Sequence, residues 1–341
     1  MPTTGLMRAP ASTVPDPGPF PGRICSHLMR LPGSIRRGWL PAFVCVLGAC
    51  PAVAVGSQSE GDALVLNVSH PARAFHPGDV VLLAVEASRP LVGVEADAFG
   101  QPVRFWPSGA AGAWRGLVGI GLDTTPGRYD ITVRAKGSGG GTGTERMILI
   151  VDPKRFETRQ LRVSPDFLNP PASERERIVR DATLLADLFA HSVSDRLWRG
   201  PFAPPVPGVA TSGFGRLTML NGEPRARHQG VDFRAVPGTP VRAPNAGQVV
   251  LAADLYFLGQ TVILDHGSGL FSLVAHLSRI AVSVGTRTAR GDLLGDTGAT
   301  GRVTGPHLHW AVRLGELNVD PIALLTAVAD LAEAPAFVTL P

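Results

Sequence analysis

Cysteine is confined to the start of the chain. Among 341 residues there are three, Cys25, Cys45 and Cys50, and none after them. Nothing further along can form a disulfide, supply a thiolate nucleophile or hold a metal through sulfur, so any metal there must sit on His, Asp or Glu. Lysine is scarce as well: Lys136 and Lys154 are the only two, and arginine carries the net charge of +4. That mild basic excess suits a polyanionic partner, but no nucleic-acid-binding motif accompanies it. Aromatic residues are 6% and charged residues 18%, against 44% hydrophobic. A wholly disordered chain is therefore excluded. With 40 glycines and 31 prolines, the composition favours short strands and turns over a helical bundle. The length fits two domains with appendages.

Residues 1–55 read as an N-terminal extension and an export signal. Arg30, Arg36 and Arg37 form a positive flank, and residues 39–49 form an apolar stretch too short to span a bilayer but of secretory length. Translation is expected to begin at Met29. Two processing routes are open. Leu47-Gly48-Ala49-Cys50 has the form of a lipobox, which would anchor the chain to a membrane through a lipid on Cys50, whereas Ala52-Val53-Ala54 would release a soluble product. Either route takes the protein out of the cytoplasm, to the periplasm or cell envelope.

Residues 61–152 alternate β-forming runs, at 63–68, 80–85, 116–120, 129–133 and 146–151, with turn signals such as Pro77-Gly78-Asp79 and Pro126-Gly127. This spacing predicts an immunoglobulin-like β-sandwich. It holds no cluster of ionisable groups, and His70 and His76 are expected in loops. Residues 153–204 read as a linker with one helix. Apolar side chains at helical spacing begin at 172, Ser173 is the expected N-cap, and His191 falls near the helix end. The prolines of residues 201–207 mark a boundary. Strands are expected again in a β-rich domain at 205–330, over 241–251, 259–265, 271–276 and 305–313.

That domain carries a concentration of metal-binding residue types: His228-x-x-x-Asp232, His276 and His307-Leu308-His309. Residues two apart on a strand share a face, so His307 and His309 are expected to project together. Gly230 between His228 and Asp232 favours a loop-and-strand setting over a helical pair. Three nitrogen or oxygen ligands with one open position suit a catalytic zinc ion, and further histidines could serve as general base and oxyanion stabiliser. Each fragment alone is common in proteins that bind no metal.

In combination the segments are specific. Thr211-Ser-Gly-Phe-Gly215, Arg227-His-Gln-Gly-Val-Asp232, Ala275-His276-Leu277 and Gly295-Asp-Thr-Gly, running on to Gly305-Pro-His-Leu-His-Trp310, resemble the lysostaphin-like (LytM-type) zinc metallopeptidases over about residues 205–325. The resemblance implies that His228, Asp232 and His309 bind one zinc ion and that His276 and His307 are the catalytic pair. It further implies a β-rich fold with an open groove, and hydrolysis of peptide cross-links in bacterial peptidoglycan.

Departures from the family pattern lie away from those five positions. Val274 stands where many relatives carry tyrosine, which would remove a groove-lining hydroxyl, and residues 285–292 are more polar than usual. Asp265-His266-Gly267 is read as a turn, and Arg225 and Arg227 as solvated charges that could steer an anionic glycan. A metal-free relative that activates a separate wall amidase is the competing reading; it commonly lacks one or more ligands, and all five positions are filled here. A biotinyl or lipoyl carrier, suggested by residues 241–250, is excluded because no acceptor lysine follows Lys154.

Overall fold

The computed structural model describes residues 64–109, 113–163 and 169–331. The export signal, Met29, Cys50 and Ala52-Val53-Ala54 lie outside the described residues.

Among the described residues, eight strands build the N-terminal half: β1 (Leu66–Ser69), β2 (Val80–Ala87), β3 (Leu91–Ala98), β4 (Gln101–Pro102), β5 (Arg104–Pro107), β6 (Trp114–Gly119), β7 (Gly127–Gly137) and β8 (Thr142–Val151). They form two antiparallel sheets, ordered β1-β2-β6-β5 and β4-β3-β7-β8. Period-two patterning explains the shared core: Ile131, Val133 and Ala135 of β7 turn inward beside Val81, Leu83 and Val85 of β2. The other face of β2 is apolar too. Val80 and Leu82, with Leu117 of β6, pack into the C-terminal core. The uninterrupted apolar run of β2 thus serves two cores at once.

Strand β9 (Thr158–Leu161) lies parallel to β11 (Leu217–Leu220), which forms a hairpin with β12 (Glu223–Pro224). Sequence spacing did not mark this strand within the linker. A single 3-10 turn, Ala172–Glu174, leads into α1 (Arg175–Ala190). Ser173 is not the N-cap: it falls inside that turn, which follows Pro171, and Glu174 holds the cap position without a side-chain hydrogen bond. His191 is the C-cap, its Nδ1 donating to Asp187 O at 2.8 Å. Leu185, Leu188 and Phe189, spaced as one helical stripe, pack on Leu251, Ile263 and Phe271 of the main sheet.

The main sheet comprises β10 (Ala210–Ser212), β13 (Val231–Phe233), β14 (Pro240–Arg242), β15 (Gly247–Leu255), β16 (Gly259–Asp265), β17 (Leu270–Ile280), β18 (Arg287–Thr288), β19 (Leu293–Thr297), β20 (Leu308–Leu314) and β21 (Leu317–Val319). Its main path runs β10-β13-β20-β17-β16-β15-β18. The strand expected over 241–251 is broken into β14 and β15. Asn245 causes the break: its side chain accepts from Arg199 N and donates to Arg199 O and Pro201 O, turning the chain around a distant segment. Helix α2 (Pro321–Ala327) closes the fold, capped by Asp320, whose carboxylate accepts from Ile322 N at 3.0 Å.

Candidate metal centre

Register places the site. On β13 and β20, Asp232 stands opposite His309, between the pairs Val231–Trp310 and Phe233–Leu308. The flanking four are at most 1% exposed and fill the core on one side. Alternation therefore turns Asp232 and His309 to the opposite face, where directly paired side chains meet. His309 in turn faces Ala275 of β17, one residue before His276.

His228 arrives on the loop before β13, held by backbone bonds from Gly215 N to its carbonyl and from its N–H to Arg216 O. Its Nδ1 donates to Gly213 O at 3.1 Å, since a carbonyl oxygen only accepts. That fixes the tautomer and leaves Nε2 with a lone pair. His228 Nε2, Asp232 Oδ1 and His309 Nδ1 lie 3.0 Å from one another in every pairing. The edges of a tetrahedron drawn with zinc–ligand bonds are roughly 3.4 Å, close to these separations. Three acceptor atoms meeting at one point repel unless a cation or proton lies between them. Their chemistry therefore fits a divalent zinc-type ion.

Burial alone would raise the pKa of Asp232, but the adjoining imidazoles of His228 and His309 outweigh it and hold the carboxyl far below the usual range. Burial lowers the pKa of His309 despite the neighbouring Asp232 carboxylate. Both shifts keep the ligand atoms unprotonated. Gly230 makes room for the ring: a Cβ there would stand 2.7 Å from His309 Cε1 and 2.5 Å from Trp310 O.

His276 occupies a break in β17. Up to Ala275 the strand pairs with β20, and from Leu277 it pairs with β19. At the change of partner His276 adopts φ +64°, a left-handed backbone that few non-glycine residues hold. This irregularity turns the ring toward His307, with centroids 4.8 Å apart. His276 Nδ1 donates to Thr300 O at 3.0 Å and His307 Nδ1 to Gly305 O at 2.8 Å, leaving both Nε2 atoms as acceptors. Burial, then the neighbouring His309 and His307, push the pKa of His276 down to about 4, so its ring is neutral near pH 7. His307 itself precedes β20, joined to Gly298 by an isolated bridge, and its Nε2 is 3.8 Å from Asp232 Oδ1.

The five residues singled out from the sequence thus converge on one face. Sequence reasoning missed Arg216, 14% exposed, whose Nη2 lies 3.8 Å from Asp232 Oδ2. Its signal was its place directly after the Gly213-Phe-Gly215 turn. Val274 is 1% exposed and belongs to the core, so a side chain at that position does not line an open groove in this chain. Arg227 is exposed, and its guanidinium also donates to Gly215 O at 3.1 Å and lies over the Phe156 ring. Asp265 and His266 are structural. The carboxylate accepts from Ser192 Oγ, Val193 N and Gly267 N, and the imidazole bridges Ala246 O and Ser272 Oγ.

A β-sheet face presenting a His–Asp–His acceptor set beside a second histidine pair is the architecture of a metallopeptidase-type centre. The model of peptidase family M23 matches residues 226–321, which hold all five side chains. A solved chain assigned to peptidase M23, from Pseudomonas aeruginosa, is 31% identical, covers 74% of this chain and 95% of its own length, and superposes with a TM-score of 0.55. The chain belongs to peptidase family M23. Among curated relatives, the DD-carboxypeptidase/endopeptidase Mpg of Neisseria gonorrhoeae is 36% identical over 107 residues, 31% of this chain and 25% of that protein. The peptidoglycan DD-endopeptidase ShyA of Vibrio cholerae is 42% identical over 85 residues, 25% of this chain and 20% of that protein. This chain therefore matches a quarter or less of the length of these two relatives.

Proposed function

We propose that this protein is a zinc-dependent endopeptidase that hydrolyses peptide cross-links of bacterial peptidoglycan. The observation that carries the reading is the mutual 3.0 Å spacing of His228 Nε2, Asp232 Oδ1 and His309 Nδ1 beside a neutral His276. The relatives named as peptidoglycan endopeptidases support the substrate class.

The three atoms would hold one zinc ion, which when bound supplies Lewis acidity toward a scissile carbonyl and acidifies water. The chain's own groups do the rest. His276 Nε2, its Nδ1 proton committed to Thr300 O, is the acceptor for a proton leaving the attacking water. His307 Nε2, equally oriented by Gly305 O, stands across from it to donate a hydrogen bond when protonated from solvent and to pass that proton to the departing amine, the proton held by His276 being released to solvent. Neither step calls for a cysteine or serine nucleophile, in keeping with the lack of cysteine after residue 50. We further propose action outside the cytoplasm, in the periplasm or envelope, on the strength of the arginine-flanked apolar stretch at residues 39–49 and the lipobox-like Cys50.

Digestion of purified sacculi by zinc-loaded protein, followed by muropeptide analysis, tests the reading. A fall in cross-linked dimers is expected, with a D-alanyl–diaminopimelate bond as the first candidate and a glycyl bond as the second. An unchanged profile would favour a regulatory protein instead.

A further inference from the structure

Away from the metal centre, a cavity of about 480 Å3 lies where the sandwich meets the C-terminal sheet. Leu117 of β6, Phe189 at the end of α1, Leu270 at the start of β17 and Leu317 at the start of β21 give it apolar walls. Leu270 is six residues along β17 from His276, which at the usual strand rise is about 20 Å. The two sites are separate.

One residue makes this cavity unusual. Arg196 lines it, half-buried, with its guanidinium carbon 4.9 Å from the Trp106 ring and 4.8 Å from the Trp198 ring. Trp106 comes from the sandwich and Trp198 from the C-terminal core, so the cation sits at the junction of the two. Among the described residues its guanidinium makes no hydrogen bond or ion pair with the protein, and the charge that acts on it is another cation, Arg199. Glu316, the one carboxylate among the described lining residues, acts on Arg313, whereas Arg104 adds a second cation to the wall.

The rings offset part of the cost of desolvating a cation. They leave unmatched the planar fork of N–H donors, whose natural complement is a carboxylate held by paired hydrogen bonds. The cavity volume lies in the range of small-ligand sites, and its apolar walls suit an aliphatic body behind that carboxylate.

We propose that this cavity is an accessory site for the carboxylate end of a short peptide of the peptidoglycan-stem kind, anchored by Arg196. The carboxylate requirement stands on the cavity alone; the choice of peptide rests on the function proposed above.

The test is calorimetric titration of the stem tetrapeptide L-Ala-γ-D-Glu-diaminopimelate-D-Ala, its C-terminal amide and inorganic phosphate. Each is titrated into zinc-loaded protein, Arg196→Gln and His309→Ala. Glutamine keeps a planar group over the two tryptophans without the charge. Expected is a saturable site that persists in His309→Ala and weakens at least tenfold in Arg196→Gln. In the unsubstituted protein, amidation of the peptide should weaken binding to a similar degree, a comparison that needs no variant to fold. Binding that survives Arg196→Gln but disappears with His309→Ala would assign the peptide to the catalytic groove and overturn the proposal. So would equal binding of acid and amide, or binding of phosphate alone. Sacculus digestion by the same preparations separates the two readings. Digestion without this site overturns the accessory site only, whereas the site without digestion upholds it and overturns the catalytic reading.

Discussion

Asp232 and His309 face each other across β13 and β20 with Oδ1 and Nδ1 3.0 Å apart, although 77 positions separate them in the chain. A slip of one residue in that pairing would turn one of the two side chains into the core and bring Val231 or Leu308 to the surface. The burial of those apolar neighbours is thus what keeps the two polar groups on the site face.

From this geometry His309→Ala is expected to lose bound zinc, because it removes one of three ligand atoms. His307→Ala should keep zinc at one equivalent and lose about 10²- to 10⁴-fold in turnover, the usual weight of a general acid or base. Metal analysis with sacculus digestion checks both. Equal loss of zinc in the two variants would contradict this division of roles.

Gly230 admits the His309 ring, and a methyl group there would stand 2.7 Å from ring carbon Cε1. Gly230→Ala should displace the ring, cost about 1–3 kcal/mol through overpacking and reduce zinc affinity at least tenfold. Thermal unfolding of the metal-free protein and zinc titration read the two effects apart. Unchanged zinc affinity would show that the ring has another place to go.

His276 combines a left-handed backbone with its proposed chemical role. Asparagine tolerates that conformation, so His276→Asn should fold like the parent, keep zinc and lose turnover. His276→Val should lower stability by about 1–3 kcal/mol, since β-branched residues resist positive φ. Similar melting temperatures for the two variants would argue that the strain is unimportant.

A pH prediction rests on His266, fully buried and 20 residues from its carbonyl partner Ala246. Burial pushes its pKa down from 6.5 to about 4. The unfolded chain takes up a proton below about 6.5 and the folded chain does not until about 4, so stability falls as pH drops through that window. The full loss is about 3 kcal/mol. Denaturant unfolding at pH 7 and pH 4.5 should show a steeper acid loss for the parent than for His266→Gln. Equal losses would refute the assignment.

Much of this was legible in the sequence where information is local. The alternation in residues 129–133 and 146–151 marked β7 and β8, and the five site residues stood out by type and spacing. Strand β3 was not read because Ala96 and Ala98 give its inward face little hydrophobic contrast. Nor was the break between β14 and β15, which depends on Asn245 meeting Arg199 and Pro201 some 45 positions earlier. The pairing of β9 with β11 and the change of partner at His276 are likewise long-range events. Arg216 escaped notice because a lone arginine after a glycine turn has no distinctive spacing until Asp232 is seen beside it.

The most direct measurement is anomalous diffraction at the zinc edge from crystals of the zinc-loaded protein. One peak is expected about 2.0–2.2 Å from each of His228 Nε2, Asp232 Oδ1 and His309 Nδ1. A protein carrying one equivalent of zinc whose peak lay elsewhere would contradict the account.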